Sequence, residues 1–331
     1  MVNVGIIGFG TMGKIRYNEL SYKKDVSVQM IYDPNSDSII DNEIVAKSYV
    51  DILENPNIDA VFICTPIYLN AKLTKESLLA GKHVFCEKPP TLNSSEMIDI
   101  IEVEKERSNK LMYGFNHRHH GSIKKMKDVV NSGSFGNILW MRGRYGKSVD
   151  SKFFDNWRSD KKQAGNGILF DQGIHMLDIF LYLANDFDSA KSFITNSYWN
   201  LDIEDNAFVI LKNTKDNITA SLHSTMTQWR HLFSLEVFLE KGSMILNGLK
   251  TTSGAYGDEI LVMTKNRSIS PEADWLEEEK LVYKKTDFWK SEVDYFCDCI
   301  LQDKKIANGN SKDALKIMLL LEKIYKDSQN E

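Results

Sequence analysis

The first 115 residues alternate short apolar runs, rich in β-branched residues, with longer segments whose apolar positions follow a helical period. The runs predict strands at Val2–Ile7, Val26–Tyr32, Ala60–Cys64, His83–Cys86 and Leu111–Phe115. The longer segments predict helices at Thr11–Lys23, Tyr68–Ala80 and Asn93–Ser108. Apolar strands separated by helices are typical of a doubly wound parallel sheet, so this part of the chain is predicted to be an α/β domain.

The pattern of hydrophobic positions changes after about residue 120. It predicts helices at Ser122–Asn131 and Gly173–Leu183, with a strand at Ile138–Lys147 between them. Apolar and polar residues then alternate along Ile218–Met226 and Phe233–Leu239, which predicts antiparallel strands with one packed face. Two amphipathic helices follow at Phe288–Leu301 and Lys312–Lys326.

A chain of 331 residues is long enough for two domains. We predict an α/β domain at residues 1–120 and an α+β domain at residues 121–331. The prediction leaves open that the last helix, residues 312–326, packs back on the first domain.

Composition narrows the classes of partner and the expected compartment. Hydrophobic residues make up 42% of the chain and charged residues 26%, as in soluble globular proteins. The 41 basic and 46 acidic side chains give a net charge of −5, which disfavours nucleic-acid and membrane-surface partners. The four cysteines form no C-x-x-C pair and are predicted to be free thiols. With no basic leader before the first apolar run, we expect a cytoplasmic protein.

A glycine motif lies between the first predicted strand and the first predicted helix. The sequence Gly8-Phe9-Gly10-Thr11-Met12-Gly13 has the G-x-G-x-x-G spacing that binds dinucleotides. In this motif the first glycine allows a tight turn and the second lets a pyrophosphate approach the backbone. The third allows helix and strand to pack closely. We therefore predict that residues 8–13 hold the phosphates of a dinucleotide at the start of the helix.

Asp33 supports this prediction and indicates the type of dinucleotide. It ends the second predicted strand, 20 residues after Gly13, where a carboxylate can accept the hydroxyls of the adenosine ribose. A carboxylate there repels a 2′-phosphate, and no Lys or Arg occurs at residues 34–41 to attract one. NAD is therefore predicted as the cofactor in preference to NADP.

Two further motifs complete a resemblance to a known family. Glu87-Lys88-Pro89 follows the fourth strand and Asp171-Gln172-Gly173-Ile174-His175 follows in the second domain. With the glycine motif and Asp33, they occur in the order typical of the Gfo/Idh/MocA oxidoreductases, which include glucose–fructose oxidoreductase and inositol 2-dehydrogenase. The resemblance implies a Rossmann domain, a C-terminal domain with a large, mostly antiparallel open sheet, and a redox site between them. It also implies a homodimer or homotetramer formed through that sheet.

The resemblance extends the predicted cofactor site to residues after the later strands, namely Thr65, Pro66, Asn70, Glu87 and Lys88. Members of the family usually carry His where this chain has Asn70, so the role of that position is open. In the family the Lys–Pro peptide bond of the Glu-Lys-Pro motif is often cis.

Moving a hydride from a secondary alcohol to nicotinamide leaves a proton that a positioned base must take. Lys88 follows a strand and so is expected at the carboxyl edge of the sheet, where ligands of open α/β folds bind. Asp171 and His175 are four residues apart and are expected on one face of a beginning helix. We predict His175 as the acid/base and Lys88 as a partner that shares the proton. Asp171 is predicted to orient either the substrate, which it would contact, or the imidazole. The alternatives are that Lys88 is an ordinary surface lysine, that Asp171 is only a helix cap, and that His175 is a half-buried histidine with no catalytic role.

Four more residues are predicted to contact substrate. Asn116 and Arg118 lie in a segment that resembles the family's crossing between domains, together with His117, His119 and His120. These histidines are predicted to form a polar loop near substrate, with solvent exposure as the alternative; their spacing fits no structural zinc pattern. Trp157 is predicted to stack on a sugar ring and Arg158 to pair with an anionic group, unless both belong to a solvated loop.

These observations predict an NAD-dependent dehydrogenase that oxidises a secondary hydroxyl of a sugar, nucleotide sugar or cyclitol. Two alternatives stay open: a non-catalytic dinucleotide sensor, and an epimerase or glycosidase that recycles tightly bound NAD.

Overall fold

The computed structural model describes residues 1–35, 44–155, 157–265 and 277–329. Within them the chain forms two compact units. One comprises Met1–Asn116 with Phe288–Met318, and the other comprises His117–Asp287 with Leu319–Glu331. The first observed division follows Asn116, close to the predicted division at residue 120. In addition, Phe288–Met318 returns to the first unit, so that a further division falls inside the last helix.

The first unit is built on a parallel sheet of five strands: β1 (Val2–Ile7), β2 (Val26–Tyr32), β3 (Ala60–Ile63), β4 (His83–Cys86) and β5 (Leu111–Tyr113). The strand order is β2-β1-β3-β4-β5. The connecting helices are α1 (Thr11–Ser21), α2 (Tyr49–Glu54), α3 (Ile67–Leu79) and α4 (Ser94–Lys105). A sheet whose order reverses direction beside β1 binds ligands at the carboxyl ends of its strands, so this edge is where a site is expected.

Burial and capping explain why these segments form. Every residue of β3 is buried, which matches a strand covered on both faces. Asn93 caps α4, since its side chain accepts the backbone N–H of Glu96 at 2.9 Å. The helix α8 (Phe288–Leu301) adds Val293 and Phe296 to the core around β1. This packing is why a segment so late in the chain belongs to the first unit.

The second unit is built on an open sheet of eight strands. They are β6 (Ile138–Ser148), β7 (Ser189–Thr195), β8 (Asn206–Asn213), β9 (Ile218–Thr225), β10 (Thr227–Leu239), β11 (Gly242–Asn247), β12 (Glu259–Lys265) and β13 (Glu279–Tyr283). The order is β13-β12-β11-β10-β6-β9-β8-β7, and the pairing of β6 with β9 is parallel while the others are antiparallel. The helices are α5 (Gly121–Ser132), α6 (Lys161–Ala164), α7 (Ile174–Ala184) and α9 (Ser311–Ser328), the last shared between units.

The predicted fold class is confirmed: an α/β Rossmann unit is joined to an α+β unit with a large, mostly antiparallel open sheet. Most predicted elements agree with the structure to within a few residues. The pattern of hydrophobic positions did not predict the helices α2 and α6 or the strands β7, β8, β11, β12 and β13.

The predicted helix start at Gly173 lies within one residue of the start of α7, but the chain is already helical before it. A wider, π-helical turn at Leu169–Gly173 runs directly into α7. The backbone N–H of Asp171 already donates to the carbonyl of Gly167 at 2.9 Å, so Asp171 lies inside a helical segment and does not cap a free helix end. Gly173 is needed for packing, because a Cβ there would lie 3.0 Å from Ser224 Oγ of β9.

Among the described residues, the stretch Lys161–Ala184 is long and apolar enough to cross a membrane by composition alone. Its most apolar window is 83% buried within the protein. It is a core segment of the second unit.

Candidate functional site

The glycine loop has the geometry that a dinucleotide needs. Gly8 has φ +93°, and a Cβ there would lie 2.6 Å from the carbonyl oxygen of Cys64. A Cβ at Gly13 would lie 2.1 Å from the carbonyl oxygen of Gly8, so only glycine allows α1 to pack this closely. At Gly10, which precedes α1, a Cβ would meet nothing within 4 Å. The backbone at Gly10 is therefore open to an approaching anion.

Asp33 is tied to the same loop. Its carboxylate accepts the backbone N–H of Phe9 at 2.5 Å and that of Asn35 at 2.9 Å. These bonds place an acceptor directly beside the glycine turn, as recognition of an adenosine ribose requires. The argument for NAD also used the lack of Lys and Arg at residues 34–41, and of these positions 36–41 lie outside the described residues.

NAD fits the residues present. The open space at Gly10, which any side chain would fill, is where the pyrophosphate would approach the backbone. The carboxylate of Asp33 suits two ribose hydroxyls better than a 2′-phosphate. The predicted loop residues Thr11 and Met12 form the first turn of α1. Residues 8–13 and Asp33 would therefore hold the cofactor.

Glu87 of the Glu-Lys-Pro motif is held inside the first unit. Arg16 of α1 donates to its carboxylate from Nε at 2.8 Å, and Nη2 forms an ion pair with the same carboxylate at 2.7 Å. Glu292 of α8 contacts the same guanidinium at 2.6 Å. Burial opposes the charge of Arg16, but Glu292 and Glu87 outweigh it and hold the arginine pKa above its ordinary value. The structure thus gives the Glu87 side chain a supporting position beneath the motif, and its contact with the cofactor stays a prediction.

Asn70 holds the same motif from its other side. Its buried Nδ2 donates to the carbonyl oxygens of Glu87 at 3.2 Å and Pro89 at 2.9 Å. Its Oδ1 accepts the hydroxyl of Thr65 at 3.0 Å. The Asn70 side chain, predicted to bind cofactor, therefore braces the backbone around Lys88.

Lys88 itself lies at the carboxyl edge of the sheet, directly after β4 and Glu87, and is half-buried. The Lys88–Pro89 peptide bond is cis. Thr65 and Pro66 follow β3 at the same edge, since β3 and β4 are parallel neighbours. The sheet therefore gathers the predicted glycine loop, Thr65 and Lys88 along one edge.

In the second unit, Asp171 and His175 belong to one continuous helical segment. His175 is buried, and Asp171 is partly exposed. Arg158 contacts the Asp171 carboxylate at 3.6 Å, and its guanidinium lies 4.4 Å from the centre of the Trp157 ring. One face of Trp157 is thus covered by its neighbour, which competes with the predicted stacking on a sugar. A cleft beside these residues is lined by Lys147, Arg158 and Asp171 and otherwise mainly by apolar residues.

His117 stacks on His175, with ring centroids 3.9 Å apart and ring planes 22° from parallel. Its Nε2 is 2.9 Å from the hydroxyl of Tyr145 in β6, and the Tyr145 ring packs edge-on against Tyr256 with centroids 5.5 Å apart. Burial is the main cause that raises the pKa of both phenols, so both stay protonated at neutral pH. This polar cluster around His175 was not identified from sequence.

The neighbours of His117 are also buried, so the alternative of solvent-exposed histidines is wrong. His120 is 2.7 Å from Glu259 through Nδ1. Burial works against the charge of Glu259, but hydrogen bonds from His120 and two backbone N–H groups outweigh it and lower its pKa. Arg118, predicted to bind substrate, forms a two-bond ion pair with buried Asp178 of α7 at 2.8 and 2.6 Å.

Glu204 supports the helical segment that carries Asp171. Its carboxylate accepts the backbone N–H groups of Gly167 at 2.7 Å and Leu169 at 3.1 Å, and the hydroxyl of Tyr325 at 2.7 Å. No spacing in the sequence links these residues. Asn116, the remaining predicted substrate residue, is a buried residue at the end of the first unit's main segment.

Comparisons with known proteins give the class of this chain. A model described as "Oxidoreductase family, NAD-binding Rossmann fold" matches residues 2–115, and a GFO/IDH/MocA C-terminal domain model matches residues 123–245. The protein is an NAD-binding oxidoreductase. The chain belongs to the Gfo/Idh/MocA family, as the motif order indicated.

Two individual relatives of this chain are named as dehydrogenases. Myo-inositol 2-dehydrogenase of Thermotoga maritima is 27% identical over 269 residues, which are 78% of this chain and 79% of that protein. Levoglucosan dehydrogenase of Pseudarthrobacter phenanthrenivorans is 28% identical over 216 residues, 59% of this chain and 54% of that protein. A solved levoglucosan dehydrogenase with NADH and levoglucosan has a TM-score of 0.86 at 19% identity, covering 99% of this chain and 97% of that one. At this identity the structural match shows the fold.

Proposed function

We propose that this protein is an NAD-dependent dehydrogenase that oxidises a secondary hydroxyl of a sugar, nucleotide sugar or cyclitol. Bound NAD supplies the acceptor for the hydride. The relatives named as inositol and levoglucosan dehydrogenases support this class of substrate.

The observation that carries the proposal is the support around Lys88. Arg16 fixes the side chain of Glu87 before it, and Asn70 fixes the carbonyls of Glu87 and Pro89 on either side. A surface lysine needs no such framework, whereas a lysine that donates to a reacting oxygen must be held in place. In the proposed reaction Lys88 donates a hydrogen bond to the substrate hydroxyl.

We propose that His175 accepts the proton of that hydroxyl and returns it in the reverse direction. Asp171 orients the substrate or the imidazole, and Arg158 keeps the Asp171 carboxylate in position. Arg158 and Trp157 also bind substrate in this proposal, as do Asn116 and Arg118. The guanidinium of Arg118 is paired with Asp178, so it has less capacity to bind substrate.

Substrate-dependent formation of NADH from NAD, with a panel of sugars, inositols and nucleotide sugars, tests this function. A sensor would bind NAD and give no turnover with any of them.

An enzyme that recycles bound NAD remains a second candidate, because one relative is named 2,7-anhydro-N-acetylneuraminate hydratase, a reaction class without net oxidation. It is 25% identical over 59% of this chain and 52% of that protein. This candidate predicts that NAD copurifies with the protein and that substrate is converted without release of NADH. The homodimer or homotetramer implied by the family stays a prediction.

A further inference from the structure

We propose that His117 is a positioning residue for His175: its ring fixes the plane of the His175 imidazole, and the Tyr145 hydroxyl fixes His117 in turn. The inference rests on the proposed function in which His175 exchanges the substrate proton. It adds two residues to that site which neither motif contains.

The geometry supports a positioning role. A ring stacked at 3.9 Å and 22° limits the rotation of the His175 imidazole, because turning it about its last side-chain bond would drive its edge into His117. That rotation matters for a base, because a ring nitrogen accepts a proton along a direction that lies in the plane of the ring. A flat neighbour therefore fixes the plane in which a nitrogen of His175 can face the substrate.

His117 can act in this way only if it is itself fixed. Its Nε2 lies 2.9 Å from Tyr145 Oη, and both residues are buried. Tyr145 packs edge-on against Phe233, with ring centroids 5.2 Å apart, and edge-on against Tyr256, with centroids 5.5 Å apart. The support thus runs from β6 and β10 through Tyr145 to His117 and then to His175.

A histidine at position 117 also indicates a role beyond packing in the core. Burying a polar ring costs free energy unless its nitrogens are hydrogen-bonded, and a phenylalanine would fill similar space at no such cost. What histidine adds here is the bond to Tyr145.

Steady-state kinetics separate positioning from substrate binding. His117→Ala should lower kcat by about 10- to 100-fold, as expected when a reacting group is misplaced by about 1 Å, with little change in KM. His117→Phe keeps a stacked ring and should recover part of that loss, while Tyr145→Phe should lower kcat and leave the protein folded. The matched control is His223→Ala, which removes a histidine stacked on Phe208 at 3.9 Å elsewhere in the sheet and should leave kcat unchanged. Wild-type kcat in His117→Ala would overturn the proposal.

Histidine NMR tests the same point without turnover. The ring signal of His175, assigned with His175→Gln, should carry an upfield ring-current shift in the cofactor-free protein. That shift should be lost in His117→Ala and altered in Tyr145→Phe, but kept in His223→Ala. An unchanged His175 signal in His117→Ala would overturn the positioning role. If the wild type has no dehydrogenase activity, the proposed function fails, and the NMR result still decides whether His117 positions His175.

Discussion

The guanidinium of Arg16 lies against the carboxylate of Glu87, with Nη2 and Oε1 2.7 Å apart, directly beneath the Lys88 motif. The arginine is fully buried, and its charge is shared with Glu292 of α8. A residue in the helix after the glycine loop is thereby joined to the segment expected to donate to substrate.

Arg16→Met is expected to destabilise the protein strongly. It would leave Glu87 and Glu292 buried without their cation, which typically costs about 3–5 kcal/mol of unfolding free energy. Urea denaturation of the two proteins measures this. Lys110→Met, which removes the partner of the exposed Asp303, is the control and should change stability little. An Arg16→Met protein as stable as the wild type would show that the buried carboxylates do not depend on the arginine.

Gly10 and Gly13 should respond differently to alanine. At Gly10 the new Cβ meets no protein atom, so the thermal midpoint should hold while NAD affinity falls, because the methyl group occupies the space of the pyrophosphate. At Gly13 the Cβ would lie 2.1 Å from the Gly8 carbonyl oxygen, so both stability and NAD affinity should fall. Calorimetric titration with NAD and thermal unfolding measure the two effects. Unchanged NAD affinity in Gly10→Ala would contradict binding at this loop.

Asp33→Ser should change cofactor preference. Removing the carboxylate removes its repulsion of a 2′-phosphate and one acceptor for the ribose hydroxyls. The ratio of NAD to NADP affinity should fall by about tenfold or more, the equivalent of one charged hydrogen bond. Asp59→Ser is a matched control, since Asp59 also accepts a backbone N–H, that of Asn3, in the same unit. If the ratio does not fall in Asp33→Ser, Asp33 does not select NAD.

Glu259 should make stability depend on acid pH. Because its folded pKa lies below the ordinary glutamate value, its ionised form stabilises the protein above that value, and this contribution is lost as pH falls through the folded pKa. The stability difference between wild type and Glu259→Gln should therefore be largest near neutral pH and shrink below about pH 4. Urea denaturation across this range measures it. A difference that stays constant or grows on acidification would contradict the low pKa.

Local motifs could be predicted from sequence, while long-range partners could not. The glycine loop, Asp33 and the position of Lys88 after β4 follow from short spacings tied to strand ends. The pairing of Arg16 with Glu292 joins residues far apart in the chain, and Glu204 reaches the segment of Asp171 from another loop. No periodicity or spacing encodes such pairs. The helical turn that contains Asp171 was not predicted for a related reason, since a π-helical turn before α7 has no sequence pattern of its own.

The strands that were not predicted have a similar explanation. The strand β8 carries exposed apolar residues, Phe208 and Ile210, between buried ones, so the contrast between its two faces is weak. Short edge strands such as β13 bury little and give little hydrophobic signal.

The proposed proton transfer is tested most directly by the turnover of the wild type, Lys88→Met and His175→Gln, measured as NADH formed from NAD with the best substrate of the panel. We expect substrate-dependent NADH formation by the wild type and losses in kcat of about 100-fold or more in each variant, as for removal of a group that transfers or stabilises the reacting proton. NAD binding by His175→Gln should be unchanged. Near-wild-type turnover in either variant would contradict the proposed proton transfer.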